Sequence, residues 1–240
     1  TKFTAKKIVK SKIRTIILRF TILFLKIYNR YEVIIPDKTP RKGPAWIIFN
    51  HSSTADVPVL LASKLRDDLV IITAKGVQEN VFLNIIYKPW NPIYVDQFKY
   101  NPHLSNSIDS TFSSSGALAL APEGTRSLNG RISSFRSGGI RRAFNSYVKD
   151  KTPIIPCGID AYDAMPKGRI LPRPKKIVVK YGKPIDLSMW SEKELTQEIL
   201  EDVGKKIRDS IELLLPENRR SLPDTPIFKK SLKKMVDSST

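Results

Sequence analysis

Apolar and polar positions change rhythm several times along the chain. Ile13, Ile16, Ile17, Phe20, Leu23, Phe24 and Ile27 recur at steps of three and four, which predicts one apolar stripe on a helix. Lys12, Arg19 and Lys26 recur at steps of seven and fall on another face of the same helix. The uncharged run inside it, Phe20 to Leu25, is bounded by Arg19 and Lys26. A membrane-crossing helix needs roughly 20 apolar residues, so the pattern predicts an amphipathic helix that does not span. Further on, short runs of β-branched and aromatic residues alternate with helical spacings. Ala45–Asn50, Leu69–Ala74, Pro92–Asp96, Ala117–Ala121, Pro153–Ile159 and Lys176–Tyr181 read as strands. Val57–Leu65, Asn80–Tyr87, Leu104–Ser115, Gly138–Val148 and Ser191–Leu215 read as helices, the last with Leu195, Ile199, Val203, Ile207, Ile211 and Leu214 on one face and Pro216 as its stop.

Strand and helix in turn predict an α/β fold: a mostly parallel central sheet flanked by helices, preceded by the amphipathic helix. The expected organisation is an amphipathic helical segment at 1–38, an α/β domain at 39–216 and a basic tail at 217–240 carrying Lys229, Lys230, Lys233 and Lys234. No internal repeat is visible. Sheets of this kind hold ligands at the carboxyl ends of their strands, so residues just past a strand are the first candidates for chemistry.

Charge narrows the choice of partners. Lys plus Arg is 41 against 23 acidic residues, a net +18 in 240 residues. Residues 1–30 hold nine of the basic residues and no acidic one. Such a chain is drawn to polyanions. Nucleic acid is disfavoured, because neither an aromatic-basic RNA motif nor a helix-turn-helix signature occurs. A basic row beside an Ile/Leu/Phe stripe suits a helix lying in an anionic membrane surface; an ordinary helix packed on the domain and an organelle transit peptide fit the same residues. The one cysteine, Cys157, excludes an intrachain disulfide and a cysteine-built zinc site, and reads as a small buried residue. His103 reads as a surface loop residue.

The strand Ala45–Asn50 runs directly into Asn50-His51-Ser52-Ser53-Thr54-Ala55-Asp56. Five positions apart on a continuous helix, His51 and Asp56 would lie roughly 140° apart. They can meet only if His51 is in the loop and Asp56 in the first turn of the next helix, where the intervening hydroxyl residues favour a cap. Asp56 then orients the imidazole and His51 takes a proton from a hydroxyl; a capping Asp beside an incidental His fits the spacing equally. Pro122-Glu123-Gly124-Thr125-Arg126-Ser127 follows the strand Ala117–Ala121 and so faces the same crevice, with Arg126 suited to a phosphate; a polar turn is the plain alternative. Phe135-Arg136-Ser137-Gly138-Gly139 opens a helix, a place for an anion, and Ile155-Pro156 lies in a further strand.

Taken in order, these four blocks resemble the glycerolipid acyltransferase family, above all its 1-acylglycerol-3-phosphate (lysophosphatidic acid) acyltransferases, over residues 40–185. The resemblance implies direct transfer of a fatty acyl chain from acyl-CoA or acyl-carrier protein to the sn-2 hydroxyl of 1-acylglycerol 3-phosphate, giving phosphatidic acid. No cofactor or metal is implied beyond the co-substrate. His51 would be the general base and Asp56 its orienter. Glu123 and Arg126 would shape the acceptor site, with Arg126 and Lys75 near its phosphate and Gly124 and Thr125 forming the turn between them. Arg136 would also belong to the substrate site, Gly138 would allow close approach of the chain and Pro156 would shape the end of its strand. The family's interfacial helix agrees with the reading of residues 5–30 and implies a peripheral protein on the cytoplasmic face of an anionic membrane. The departure from the pattern is Gln97, where the family usually has Arg after Val95-Asp96; the usual glycines after Gly76 are also missing, and Trp90 and Pro92 stand there. A different acceptor, or a non-catalytic basic lipid-binding protein, are the alternatives. No G-x-S-x-G, G-x-x-x-x-G-K-[ST] or G-x-G-x-x-G motif occurs.

Overall fold

The computed structural model describes residues 2–79, 81, 84, 87–96, 103–169 and 171–229, with side chains from residue 12 onward and not at residue 103. Helix α1 (Lys2–Asn29) leads into β1 (Glu32–Ile34). Then follow β2 (Ala45–Phe49), α2 (Asp56–Ala62), β3 (Leu69–Ala74), α3 (Lys75–Glu79) and β4 (Ile93–Val95). The second half carries α4 (His103–Ser113), β5 (Ala117–Leu120), α5 (Ser137–Asp150), β6 (Ile154–Asp160), β7 (Val178–Tyr181), α6 (Ser188–Ser191) and α7 (Gln197–Glu212).

The strands form one seven-stranded sheet in the order β1-β7-β6-β2-β5-β3-β4. All neighbours are parallel except β6 and β7. The expected mostly parallel sheet is therefore present, and β2 lies at its centre, with Ile47 opposite Ala119 of β5 and Ile155 of β6. Every residue of β2 is buried, as a strand covered on both faces requires. Ile47, Phe49, Ile71, Ala119 and Cys157 pack under α1 and α2; Trp46, Ile48, Leu118 and Ile154 pack against α4, α5 and α7. The carboxyl ends of β2, β3, β4, β5 and β6 lie along one edge.

Helix α1 is apolar on two faces rather than one. Leu25 is buried, and Ile17, Leu18 and Ile22 pack on the core. Arg14 reaches inward, donating to the Asp67 carbonyl and lying 5.7 Å over the Trp90 ring. The other apolar face, Ile13, Ile16, Phe20, Leu23, Phe24 and Ile27, stays exposed, with Phe20 at 70% and Ile27 at 75%. Among the described residues no helix is long and apolar enough to cross a membrane.

Two other expectations change. The helix expected over Ser191–Leu215 begins at Gln197, where the Thr196 hydroxyl accepts the Ile199 N–H at 3.2 Å, a hydrogen bond that defines a helix start. Its buried face is Leu200, Val203, Ile207 and Ile211. The segment after Pro216 folds back as far as residue 229: Phe228 bridges Phe135, and Ile227 with Phe228 fills the space left by Gly204. Lys230, Lys233, Lys234, Gln97 and most of the helix expected at Asn80–Tyr87 lie outside the described residues.

Candidate active site

The site is built where β2 ends. Asn50 extends the ladder with its side chain: Nδ2 donates to the Ile159 carbonyl at 2.9 Å and Oδ1 accepts the Ile159 N–H at 2.7 Å. That lock fixes where the next residue, His51, leaves the sheet. Asp56, the first residue of α2, turns back toward the loop. One of its oxygens, Oδ2, accepts from His51 Nδ1, Ser52 N–H and Ser53 N–H, each at 2.8 Å. The serines thus serve through their backbones rather than as helix caps; the residue before α2 is Ala55, with no side-chain cap. Asp56 is fully buried while the His51 side chain is a quarter exposed. Burial pushes the Asp56 carboxyl above the usual carboxylate range, and the bonds from His51, Ser53 and Ser52 pull it back. With Nδ1 turned to Asp56, Nε2 is the ring nitrogen left for a substrate proton.

Glu123 has no exposed surface and acts as a bracket. Its Oε1 accepts the His51 N–H at 2.7 Å, and Oε2 accepts both the N–H and the hydroxyl of Ser133 at 2.8 Å. The Ser127 N–H donates to the His51 carbonyl at 2.8 Å. The backbone of His51 is therefore clamped on both sides by the block Glu123–Ser127. Burial pushes the Glu123 carboxyl up to about 7, against the lowering effect of the His51 and Ser133 hydrogen bonds. The folded form is then the better proton binder. Its contribution to stability is complete below the ordinary value of 4.5 and is lost as pH rises through about 7. The full difference corresponds to about 3 kcal/mol. Glu123→Gln, which cannot ionise, is expected to flatten the fall in urea-unfolding free energy between about pH 5 and about pH 8; an unchanged slope would remove Glu123 as its source.

Gly124 has φ +70° and packs so tightly on Arg136 that an added Cβ would sit 2.5 Å from Nε. Gly124→Ala is expected to destabilise by about 1–3 kcal/mol, from the left-handed backbone and the displaced guanidinium together, read as a lowered Tm. Arg126 donates to the Thr54 hydroxyl, tying the second block to the first. Thr125 is exposed on the turn, and Lys75 is exposed just past β3 on the same edge. Tyr87, not singled out by the sequence, is buried close enough to Asp56 and Arg126 to be influenced by both charges.

Lys229 is the other addition. Its Nζ donates to the Glu123 carbonyl at 2.6 Å, and its backbone N–H to the Phe135 carbonyl at 2.9 Å. Burial, and then the nearby Arg136, lower its affinity for a proton. Two further motif residues lie farther along the chain than Arg126. No atom lies within 4 Å of a Cβ at Gly138; the close approach belongs to Gly139, against Leu120. Pro156 sits within β6 opposite Ile48, its ring against Gly182. Cys157, within β6, is buried in the core on the α1 and α2 side of the sheet, with its thiol pushed well up by burial.

The acyltransferase family model, described simply as Acyltransferase, matches residues 30–160, which include the His51–Asp56 and Glu123–Arg126 blocks. The chain belongs to the acyltransferase family. Among relatives of this acyltransferase is a 1-acyl-sn-glycerol-3-phosphate acyltransferase of Limnanthes douglasii, 34% identical over 110 residues that make up 45% of this chain and 36% of the plant protein. A probable 1-acyl-sn-glycerol-3-phosphate acyltransferase of Mycoplasma pneumoniae is 29% identical over 148 residues, 59% of this chain and 53% of that one. The chain thus spans from about a third to about half of these curated relatives. The crystal structure of the 1-acyl-sn-glycerophosphate (LPA) acyltransferase PlsC from Thermotoga maritima superposes with a TM-score of 0.61 at 22% identity, covering 85% of this acyltransferase and 82% of PlsC, a likeness of fold.

Proposed function

We propose that this acyltransferase moves a fatty acyl chain from acyl-CoA or acyl-carrier protein to the sn-2 hydroxyl of 1-acylglycerol 3-phosphate, yielding phosphatidic acid and the free carrier thiol. The observation that carries the reading is the 2.8 Å contact of His51 Nδ1 with buried Asp56, which leaves Nε2 at the carboxyl edge of the sheet. Nε2 takes the acceptor's hydroxyl proton as the alkoxide oxygen bonds to the thioester carbon. The resulting tetrahedral oxyanion collapses, the C–S bond breaks, and the departing thiolate recovers the proton from the imidazolium, which Asp56 has stabilised. The thioester is already activated, so positioning supplies most of the rest.

A phosphate-bearing acceptor is favoured by the cations on this edge. Arg126 is half-buried beside His51's loop, Lys75 is exposed past β3, and Arg136 with Lys229 flanks Glu123 closely enough to repel one another; an anion between them relieves that repulsion. The exposed face of α1, flanked by Lys12, Arg19 and Lys26, favours attachment to an anionic leaflet, such as the cytoplasmic one, as a peripheral protein. Both lipid substrates would then reach the site from the bilayer.

The test is an acceptor screen in anionic liposomes with labelled acyl-CoA. Parallel reactions receive lysophosphatidic acid, glycerol 3-phosphate, lysophosphatidylcholine and a neutral lipid alcohol. Phosphatidic acid formed from lysophosphatidic acid alone is the expected result. Preference for another acceptor keeps the transfer chemistry and overturns the acceptor; no turnover with any of them leaves the non-catalytic lipid-binding reading.

A further inference from the structure

We infer that the loop between β6 and β7 is a second membrane-contacting element, which takes anionic phospholipid headgroups and seats the His51 edge on the bilayer. The inference rests on the reading of the chain as an enzyme working at a lipid surface. The connection runs over residues 161–177, long for a link between neighbouring strands, and its described residues form neither a helix nor a strand of the sheet. From residue 164 to 185 the chain holds seven basic residues and no acidic one. The acids just before, Asp160 and Asp163, are both paired with Arg219, at 2.8 and 2.6 Å. Arg219 answers both acids, Asp163 at the start of the loop keeps part of its charge exposed, and Lys176 at its end pairs with Glu32; between them, from Lys167 to Lys175, the loop presents positive charge alone.

Its shape is held internally. The Arg173 N–H donates to the Ala164 carbonyl at 2.7 Å, closing the loop. The Arg169 N–H donates to the Pro166 carbonyl at 3.1 Å, and Arg169 Nε to the Leu171 carbonyl at 2.7 Å. The result is an open concavity of about 500 Å3 lined by Pro166, Lys167, Gly168, Arg169, Leu171 and Arg173. Lys167, Arg169 and Arg173 are exposed, and Leu171, among them, is 71% exposed. Cations alone would suit any phosphate, including those of a soluble acyl donor. A protruding leucine between cations suits a surface that offers hydrocarbon just beneath phosphate.

Position supports the same occupant. At one end the loop meets α1: Tyr28 Oη donates to the Pro172 carbonyl at 3.4 Å, Asn29 Nδ2 to the Arg173 and Lys175 carbonyls at 2.8 and 2.9 Å. The Tyr28 ring stacks on Phe24, a member of the exposed stripe, with centroids 5.1 Å apart. At the other end it meets the catalytic loop: the Ser53 hydroxyl donates to the Met165 carbonyl at 2.7 Å, and Ser53 bridges Pro166. One element thus joins the outer face of α1 to the loop that carries His51. With α1 in the interface, the concavity lies at headgroup level and the crevice opens beside it.

The buried Cys157 is the chain's one cysteine, so Leu171→Cys in the full chain accepts a thiol-reactive, environment-sensitive fluorophore selectively. On vesicles of phosphatidylcholine mixed with phosphatidylglycerol the label is expected to shift to the blue. The combined variant K167Q/R169Q/R173Q, checked for an unchanged Tm, is expected to partition onto those vesicles about tenfold or more weakly than the parent. An unshifted label on co-sedimenting protein, or unchanged partition of the triple variant, overturns the inference alone. So does a raised KM for acyl-CoA in zwitterionic micelles with partition intact, since the concavity would then serve the donor's phosphates. Failure of the parent chain to bind vesicles overturns it together with the interfacial reading on which it rests.

Discussion

His51→Ala is expected to lower kcat by about 10²- to 10⁴-fold with little change in Tm or in KM for the acceptor. In the proposed mechanism the imidazole is the proton acceptor at the crevice, and nothing else in the described site offers a replacement: Glu123 has both oxygens engaged and no exposed surface. The structural bonds of His51 run through its N–H, held by Glu123, and its carbonyl, held by Ser127. Alanine keeps both. The loop should therefore survive the loss of a ring that is already a quarter exposed. Steady-state kinetics beside thermal unfolding separate the two effects, and full activity in this variant would sink the assignment of His51 as the base.

Asp56→Asn should combine a comparable loss of rate with a loss of stability, which distinguishes it from the histidine variant. An amide oxygen can still receive the three donors that converge on Oδ2. The amide nitrogen must then stand where Oδ1 lies, buried and with no partner among the described residues. A buried donor left unmatched costs about 1–3 kcal/mol. The imidazolium formed during transfer also loses its negative neighbour, for an expected drop of about 10²- to 10⁴-fold in kcat. Urea unfolding and kcat measured on the same preparation test both halves. A variant with parental kcat would show that the carboxylate does not act through His51.

What the sequence made legible follows from the range of the interactions. His51 and Asp56 are five residues apart at the end of a fully apolar strand, so their meeting is a local event. The block Glu123–Arg126 could be placed beside them because both follow parallel strands, and the ends of parallel strands share an edge. The manner of their meeting was not legible. Glu123 reaches Ser133 and the backbone of His51 through loops without periodicity, and Lys229 arrives from a segment that reads as a polar tail. Gly138 and Gly139 are adjacent glycines that no pattern tells apart; only the neighbouring Leu120 does. β1 is a three-residue strand, Glu-Val-Ile, too short to give an alternating signal. The start of α7 was missed because apolar spacing continues back through Leu195, while a single hydroxyl at Thr196 sets the boundary.

On the proposed reading of α1 as the membrane-contacting helix, its two apolar faces tie attachment to folding. Ile17, Leu18, Ile22 and Leu25 are part of the same core as Leu60, Leu61 and Phe49. Cutting the helix away to obtain a freely soluble enzyme would uncover that core rather than release an independent anchor. Solubility and catalysis can be separated only one outward side chain at a time, at positions such as Phe20 and Ile27, and drift in those positions is where such a protein would change its preferred membrane without remaking its fold.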